Sequence, residues 1–290
     1  MKRYSFFFKD AQPFVKLMML ICIFMVLTSL SAFMVMFMRI DSLLAQALSQ
    51  IIMFGGSALL WGMMFESSAY KFMKVKRNNT FYYIVLAILL VFIATPFIDG
   101  IGIWNDGLNI KSAEAFRQME ESASLIMKGF LIDTTPLGLT INIIVLALLP
   151  AVLEEVFFRG AMQKTIIQLV RYRFLGILLT SILFSLIHFQ PFSSIPRVFL
   201  GLFLGYLYVF SKNIFIPILF HFINNLTVVL GSYLFYSNIT EFDINEIGLV
   251  FNPLLCIFSI LMISAVFMFE KIKEKKGRNK SLIQRNESLI

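Results

Sequence analysis

Apolar residues recur along this chain in runs of membrane-spanning length. The first, Leu17 to Met38, carries no charge, and it is about as long as a bilayer core of ~30 Å demands at ~1.5 Å per helical residue. Further runs extend from about Leu43 to Phe65, Phe81 to Ile98, Leu137 to Arg159, Phe174 to Phe189, Ile195 to Phe210, Ile214 to Tyr236 and Leu249 to Phe269. The pattern predicts an all-α fold, a polytopic membrane protein with about eight transmembrane helices in a single membrane domain over residues 1–290. A secretory apolar region spans only ~7–15 residues, so the first run is expected to stay in place as a helix.

Composition agrees with that pattern. Hydrophobic residues make up 59% of the chain and charged residues 14%, against roughly 45–50% and 25% in an average soluble domain. The formal net charge of +8 comes from short basic clusters between the apolar runs and from the segment after Phe269. Anionic lipid headgroups are the partner such clusters imply, and no nucleic-acid partner is expected. Cys22 and Cys256 both lie in apolar runs and imply no disulfide framework or Cys-rich metal site.

The basic clusters also predict orientation, because cytoplasmic loops carry the excess of Lys and Arg. Lys2, Arg3, Lys9 and Lys16 mark a cytoplasmic amino terminus. Eight spans then require basic second, fourth and sixth loops, and the chain supplies Lys71, Lys74, Lys76 and Arg77, then Lys164, Arg171 and Arg173, then Lys212. Acidic residues gather on the alternate side: Asp106, Glu114, Glu120 and Glu121, then Glu241, Asp243 and Glu246. Residues 270–290 read as a basic cytoplasmic tail, so both termini of a multi-pass protein, expected in the cell membrane, face the cytoplasm. The segment from Asp99 to Pro136 is the one long connection. Its periodic stretch Ala113 to Phe130 fits either an amphipathic helix at the outer interface or a plain connector. Gly201 and Gly205 form a GxxxG pair suited to close helix packing inside the protein.

Ionisable groups within spans cost roughly 2.5–3.5 kcal/mol each on insertion scales, so each calls for a partner or a function. They concentrate in three places: Glu154, Glu155 and Arg159 after Pro150, His188 late in the fifth run, and His221 with Asn224 and Asn225 in the seventh. The chain contains no other histidine. Glu155 and Arg159 are four apart with the acid first, the favourable order for a helical ion pair, and a structural clamp is the ordinary reading of them. Glu154 is turned about 100° away and remains free for chemistry. His221 and Asn225 share a helix face, and Asn224 falls off it. Phe184, one turn before His188, is either core or a wall of the same pocket.

A carboxylate, two imidazoles and a carboxamide in a dry cavity can form a hydrolytic centre. Glu154 can take a proton from water that attacks a peptide carbonyl. His188 and His221 can hold a divalent metal such as zinc that polarises the carbonyl. Without a metal they can orient the water and, with Asn225, stabilise the oxyanion. The sequence leaves both routes open. Counting from the cytoplasmic edges of the runs, Glu154 and His221 fall at similar shallow depth and His188 lies deeper, unless its helix begins at Arg171, tilts or kinks.

The three clusters read Glu154-Glu155-Val156-Phe157-Phe158-Arg159, Phe184 to His188, and His221 to Asn225, that is EExxxR, FxxxH and HxxxN in order on separate spans. In this they resemble the CAAX protease and bacteriocin-processing (CPBP) family, also called the Abi or lysostaphin-resistance protein A-like group. The resemblance covers about Pro150 to Leu230, within a catalytic core expected over about 137–236. It implies an intramembrane endopeptidase in which Glu154 activates water, His188 acts as base or ligand, and His221 with Asn225 stabilises the oxyanion. Family members have been described both as metalloproteases and as metal-independent glutamic proteases. Relatives cleave prenylated CAAX proteins, process peptides or protect against bacteriocins, so the implied partner is a membrane protein or peptide substrate. The sequence reading is thus a protease opening toward the cytoplasm. The alternatives are a bacteriocin-immunity protein that binds without cutting and a proton-coupled transporter.

Overall fold

The computed structural model describes residues 8, 10–38, 42–66, 80–107, 114–243 and 252–287. Among these the chain is all helical. We number the helices α1 (Pro13–Met38), α2 (Leu43–Phe65), α3 (Thr80–Asp106), α4 (Glu114–Leu131), α5 (Pro136–Val170), α6 (Arg173–Leu186), α7 (Ser194–Ser211), α8 (Phe215–Tyr236) and α9 (Pro253–Glu287). Helices α1, α2, α3, α5, α7, α8 and α9 are long and apolar enough to cross a bilayer. The fifth run, Phe174 to Phe189, becomes α6, only 14 residues, or about 21 Å at 1.5 Å per residue, short of a ~30 Å core. The connection Asp99 to Pro136 contains the amphipathic α4, one of the two forms expected of it.

Packing is inverted relative to a soluble protein. Phe33, Phe37, Phe81, Leu254 and Leu261 are exposed on the outer surface, whereas Arg159, Glu155, Gln163 and Thr180 are fully buried inside. That is the economical arrangement when lipid is the solvent and polar groups must find partners within the protein. At the centre, Phe24 of α1, Phe54 of α2, Phe157 and Phe158 of α5 and Phe184 of α6 form a continuous aromatic column, with successive ring centroids 5.0 to 5.5 Å apart.

Small residues set how closely α6 and α7 approach. A Cβ at Gly201 would fall 2.9 Å from Ser181 Cβ, and one at Gly205 only 2.6 Å from Ile177 Cγ2. The GxxxG pair therefore packs helices within the protein, as expected. The carbonyls of the same two glycines, unshielded by any side chain of their own, accept hydrogen bonds from Arg159 Nη2 at 3.0 Å and Gln163 Nε2 at 3.1 Å. Two donors four apart on α5 thus meet two acceptors four apart on α7.

The bundle has two chemically distinct ends. One is basic: Trp61 donates to the Lys16 carbonyl at 3.0 Å, Lys164 faces Glu66 at 3.7 Å, and Arg173 binds Glu274 at 2.6 Å. Here Glu270, at the start of the expected tail, is buried and accepts from Tyr82 and Tyr83 at 2.8 and 2.9 Å. The helix α9 continues through this segment to Glu287. At the opposite end, Asn105 donates to the Pro191 carbonyl at 3.3 Å and accepts from the Ile195 amide at 2.8 Å. There Glu120 of α4 accepts from the Phe192 amide at 3.0 Å and from the Ser193 hydroxyl. Lys2, Arg3, Lys9, Lys71, Lys74, Lys76, Arg77 and Glu246, which entered the orientation argument, lie outside the described residues.

Candidate active site

Helix α5 carries the first motif between two widened, π-helical segments, Ile143–Leu148 and Val156–Met162. Pro150 has no amide hydrogen and its ring crowds the carbonyl four residues back, so the turn before it relaxes: Leu149 donates five residues back, to Ile144. Glu154 and Glu155 occupy the short α-helical stretch between the two. Their side chains diverge as helical rotation requires. Glu155 Oε1 accepts from Arg159 Nη1 at 2.8 Å, with both side chains fully buried. Glu154 turns instead to a cavity of about 350 Å³ and leaves its buried Oε2 without a hydrogen-bond partner among the described residues. Glu155 Oε2 and Arg159 Nε are also unpaired, but neither residue lines this cavity.

Phe184, His188, His221, Asn224 and Asn225 line the same cavity as Glu154. The depth mismatch expected for His188 disappears because α5 does not end at Arg159. It continues to Val170, so Glu154 stands about 24 Å from that end and His188 about 22 Å from Arg173, counted at 1.5 Å per residue. His221 is only about 9 Å from Phe215 by the same count and reaches this level because α8 begins deeper, at the buried Ile214 and Ile216. His188 follows the last turn of α6, and Phe189 reverses the chain there with φ of 52°. That left-handed conformation is rare for a bulky residue and marks local strain beside the pocket.

Both imidazoles are fixed through Nδ1. His188 Nδ1 lies 2.8 Å from the Phe184 carbonyl, which can only accept, so Nδ1 carries the hydrogen. His221 Nδ1 lies 3.0 Å from Glu155 Oε1, the oxygen that also takes the Arg159 hydrogen bond. The Phe184 ring separates the two imidazoles, with centroids 5.2 Å from His188 and 6.0 Å from His221. With Nδ1 engaged, each Nε2 is the nitrogen left for chemistry. Glu155 is therefore more than the partner of Arg159, because it also orients a histidine from another helix.

Two expectations need correction. Asn224 does line the cavity: at −60° from His221 it flanks the same broad face that Asn225 flanks at +40°. The cavity also does not open at the basic end, where Phe157, Phe158, Arg159 and Gln163 fill the interior. Gln46 of α2 with Met127 and Leu131 of α4 line it at the opposite end, and it adjoins a second cavity of about 790 Å³ beneath α4 through His188 and Arg197. Arg197, which is not among the sequence candidates, lines both cavities. Its signal was present, as an arginine two positions into an apolar run.

A catalytic zinc takes three protein ligands. Among the described residues no three His, Cys, Asp or Glu side chains come together closely enough to hold a metal. The donor set therefore does not fit a three-ligand centre.

Residues 136–227 match a family model, the type II CAAX prenyl endopeptidase Rce1-like family. The match spans all three motifs and falls on α5 to α8. No curated protein and no solved structure matches the chain.

Proposed function

We propose that this multi-pass membrane protein, a member of the Rce1-like family through residues 136–227, hydrolyses a peptide bond near the carboxyl end of a membrane-associated protein, with Glu154 as the general base. The observation that carries the reading is the unpartnered Glu154 Oε2 in the wall of a cavity shared with both histidines. An unmatched buried carboxylate oxygen costs about 1–3 kcal/mol or more, a cost that bound water or substrate would offset.

In this mechanism Glu154 accepts a proton as the water oxygen bonds to the peptide carbonyl carbon. It then returns the proton to the amide nitrogen as the C–N bond breaks, leaving a carboxylic acid and an amine. Nε2 of His188, held through its Nδ1 bond, accepts the water's second hydrogen and fixes the direction of attack. The carboxamides of Asn224 and Asn225 supply hydrogens to the developing oxyanion. His221, locked by Glu155, acts beside them on the same face of α8. A catalytic zinc would polarise the carbonyl, but His188, His221 and Glu154 do not fit one as a ligand set. No step here is routed through it.

Orientation belongs to the same proposal. The excess of Lys and Arg assigns the basic end to the cytoplasm and the α4 end to the opposite side of the cell membrane. Comparison of membrane proteomes from cells carrying wild-type and Glu154→Gln protein tests the activity. Fragments ending at a defined site are expected with the wild type only. Purified Glu154→Gln protein that cuts such a substrate at the wild-type rate would refute the mechanism.

A further inference from the structure

Helix α2 lies outside the family match and carries none of the three motifs, yet it supplies two side chains to the Glu154 cavity, Gln46 and Gln50. They are four apart and so share a face of the helix, one above the other along its axis. Gln46 also lines the larger cavity beneath α4, whereas Gln50 lines only the inner of the two. A chain passing under α4 toward Glu154 therefore meets Gln46 first and Gln50 next.

Gln50 is 8% exposed, and its Oε1 is buried without a hydrogen-bond partner among the described residues. Glutamine within a span ordinarily bonds to a neighbouring helix. Gln163 does so, through Nε2 to the Gly205 carbonyl; its Oε1 is also unpaired, but it does not line the cavity. Gln50 has no such bond among the described residues. A buried acceptor left unpaired is unfavourable unless a donor arrives, and the broad terminal torsion of glutamine lets a small rotation offer either its oxygen or its NH2 group to the cavity. A carboxamide accepts and donates within one planar group, as a peptide unit does. The proposed chemistry assigns Glu154 and His188 to the water and Asn224 and Asn225 to the oxyanion, so the backbone beside the scissile bond needs partners of its own. Peptide units along one edge of an extended chain recur every two residues, about 6.6 Å, and residues four apart on α2 are about 6.0 Å apart along its axis.

Resting on the endopeptidase reading, we infer that Gln50, with Gln46 one turn before it, binds the substrate backbone beside the scissile bond, the two carboxamides pairing with alternate peptide units of an extended chain. Because peptide units are alike from residue to residue, this contact sets the register and direction of the chain without reading its side chains. Gln50 is thus a substrate-positioning residue on a helix that the family match does not reach.

Binding and stability together separate this from a structural role. An S-farnesylated peptide with three residues after the cysteine is titrated onto full-length Glu154→Gln protein in detergent, alongside analogues in which each peptide N–H in turn is replaced by an ester oxygen. At least one ester is expected to bind about 3- to 10-fold more weakly than the parent peptide. Adding Gln50→Met, similar in size but without the carboxamide, should weaken the parent about 10-fold and abolish the penalty of that ester. The ligand-free Gln50→Met protein should melt no lower than before, since an unpaired buried acceptor has been removed. Unchanged binding of the parent after Gln50→Met overturns the inference, as does an ester penalty that survives it or the absence of any ester penalty. A melting temperature lowered by Gln50→Met overturns it too, because Gln50 would then be holding helices together. Failure of the parent to bind also overturns it, and membrane-protein fragments that appear with the wild type but not with Glu154→Gln would show that the Glu154 mechanism stands regardless.

Discussion

Glu155 and His221, 66 positions apart in the chain, are joined by a hydrogen bond of 3.0 Å from Nδ1 to Oε1, and the same oxygen takes a second hydrogen at 2.8 Å from Arg159. One carboxylate thereby ties α5 to α8 and, through the Arg159 bond to the Gly201 carbonyl, to α7. The helices that carry the first and third motifs are locked together by charge at their most buried point.

Neutralising that point should unfold the protein readily. Glu155→Gln leaves the Arg159 charge buried without its counterion, which costs about 3–5 kcal/mol. Denaturant titration in detergent is the measurement. Combining it with Arg159→Met should recover part of the loss, because the double variant has no stranded charge. A loss below about 1 kcal/mol in the single variant would show that the pair contributes little.

The two ring nitrogens of each histidine have different duties, and substitution can separate them. Asparagine at 188 retains a donor near the Nδ1 position, toward the Phe184 carbonyl, and has nothing where Nε2 was. His188→Asn should lower the cleavage rate by about 10²–10⁴-fold with little change in melting temperature. His221→Asn should behave alike. Full activity in either variant would remove that Nε2 from the mechanism.

Chelation addresses the metal question directly. Since His188, His221 and Glu154 do not converge as a three-ligand set, exhaustive dialysis against a chelator is expected to leave the cleavage rate within about twofold. A rate that collapses and returns on adding zinc would show that the site reorganises around an ion.

Glycine substitutions should divide by position. Gly205→Leu drives a side chain into Ile177 and Gln163 and separates α7 from α5 and α6, an overpacking cost of about 1–3 kcal/mol in addition to two strained carbonyl bonds. Gly129 is exposed on α4, and a methyl group added there would meet no atom within 4 Å, so alanine at this position should instead gain about 0.5–1 kcal/mol. Melting temperatures moving in opposite directions would be the expected pair of results.

At the basic end, the buried Glu270 carboxylate accepts from two tyrosine hydroxyls and pairs with Lys273 at 3.5 Å. Tyr83→Phe removes one charge-assisted hydrogen bond and should cost about 1–3 kcal/mol. Cleavage at low temperature should be retained, because these groups do not line the Glu154 cavity. Loss of activity in a folded Tyr83→Phe protein would connect the two ends.

The sequence by itself determined the solvent and singled out the candidate polar groups. Apolar runs longer than a bilayer is thick have no alternative to spanning helices, and Glu154, His188 and His221 announce themselves because ionisable groups are costly in such runs. Helical rotation also separated Glu154 from Glu155, since that separation depends on only a few residues of one helix. What lay beyond it were relations between helices. That Glu155 would bind His221 as well as Arg159, that Arg197 would join the cavity wall, and that this cavity would face α4 instead of the basic end all depend on how α4 to α8 pack. Close approach at Gly201 and Gly205, the extension of α5 past Arg159 and the strained turn at Phe189 decided those contacts, because only packed backbones fix which side chains share a space.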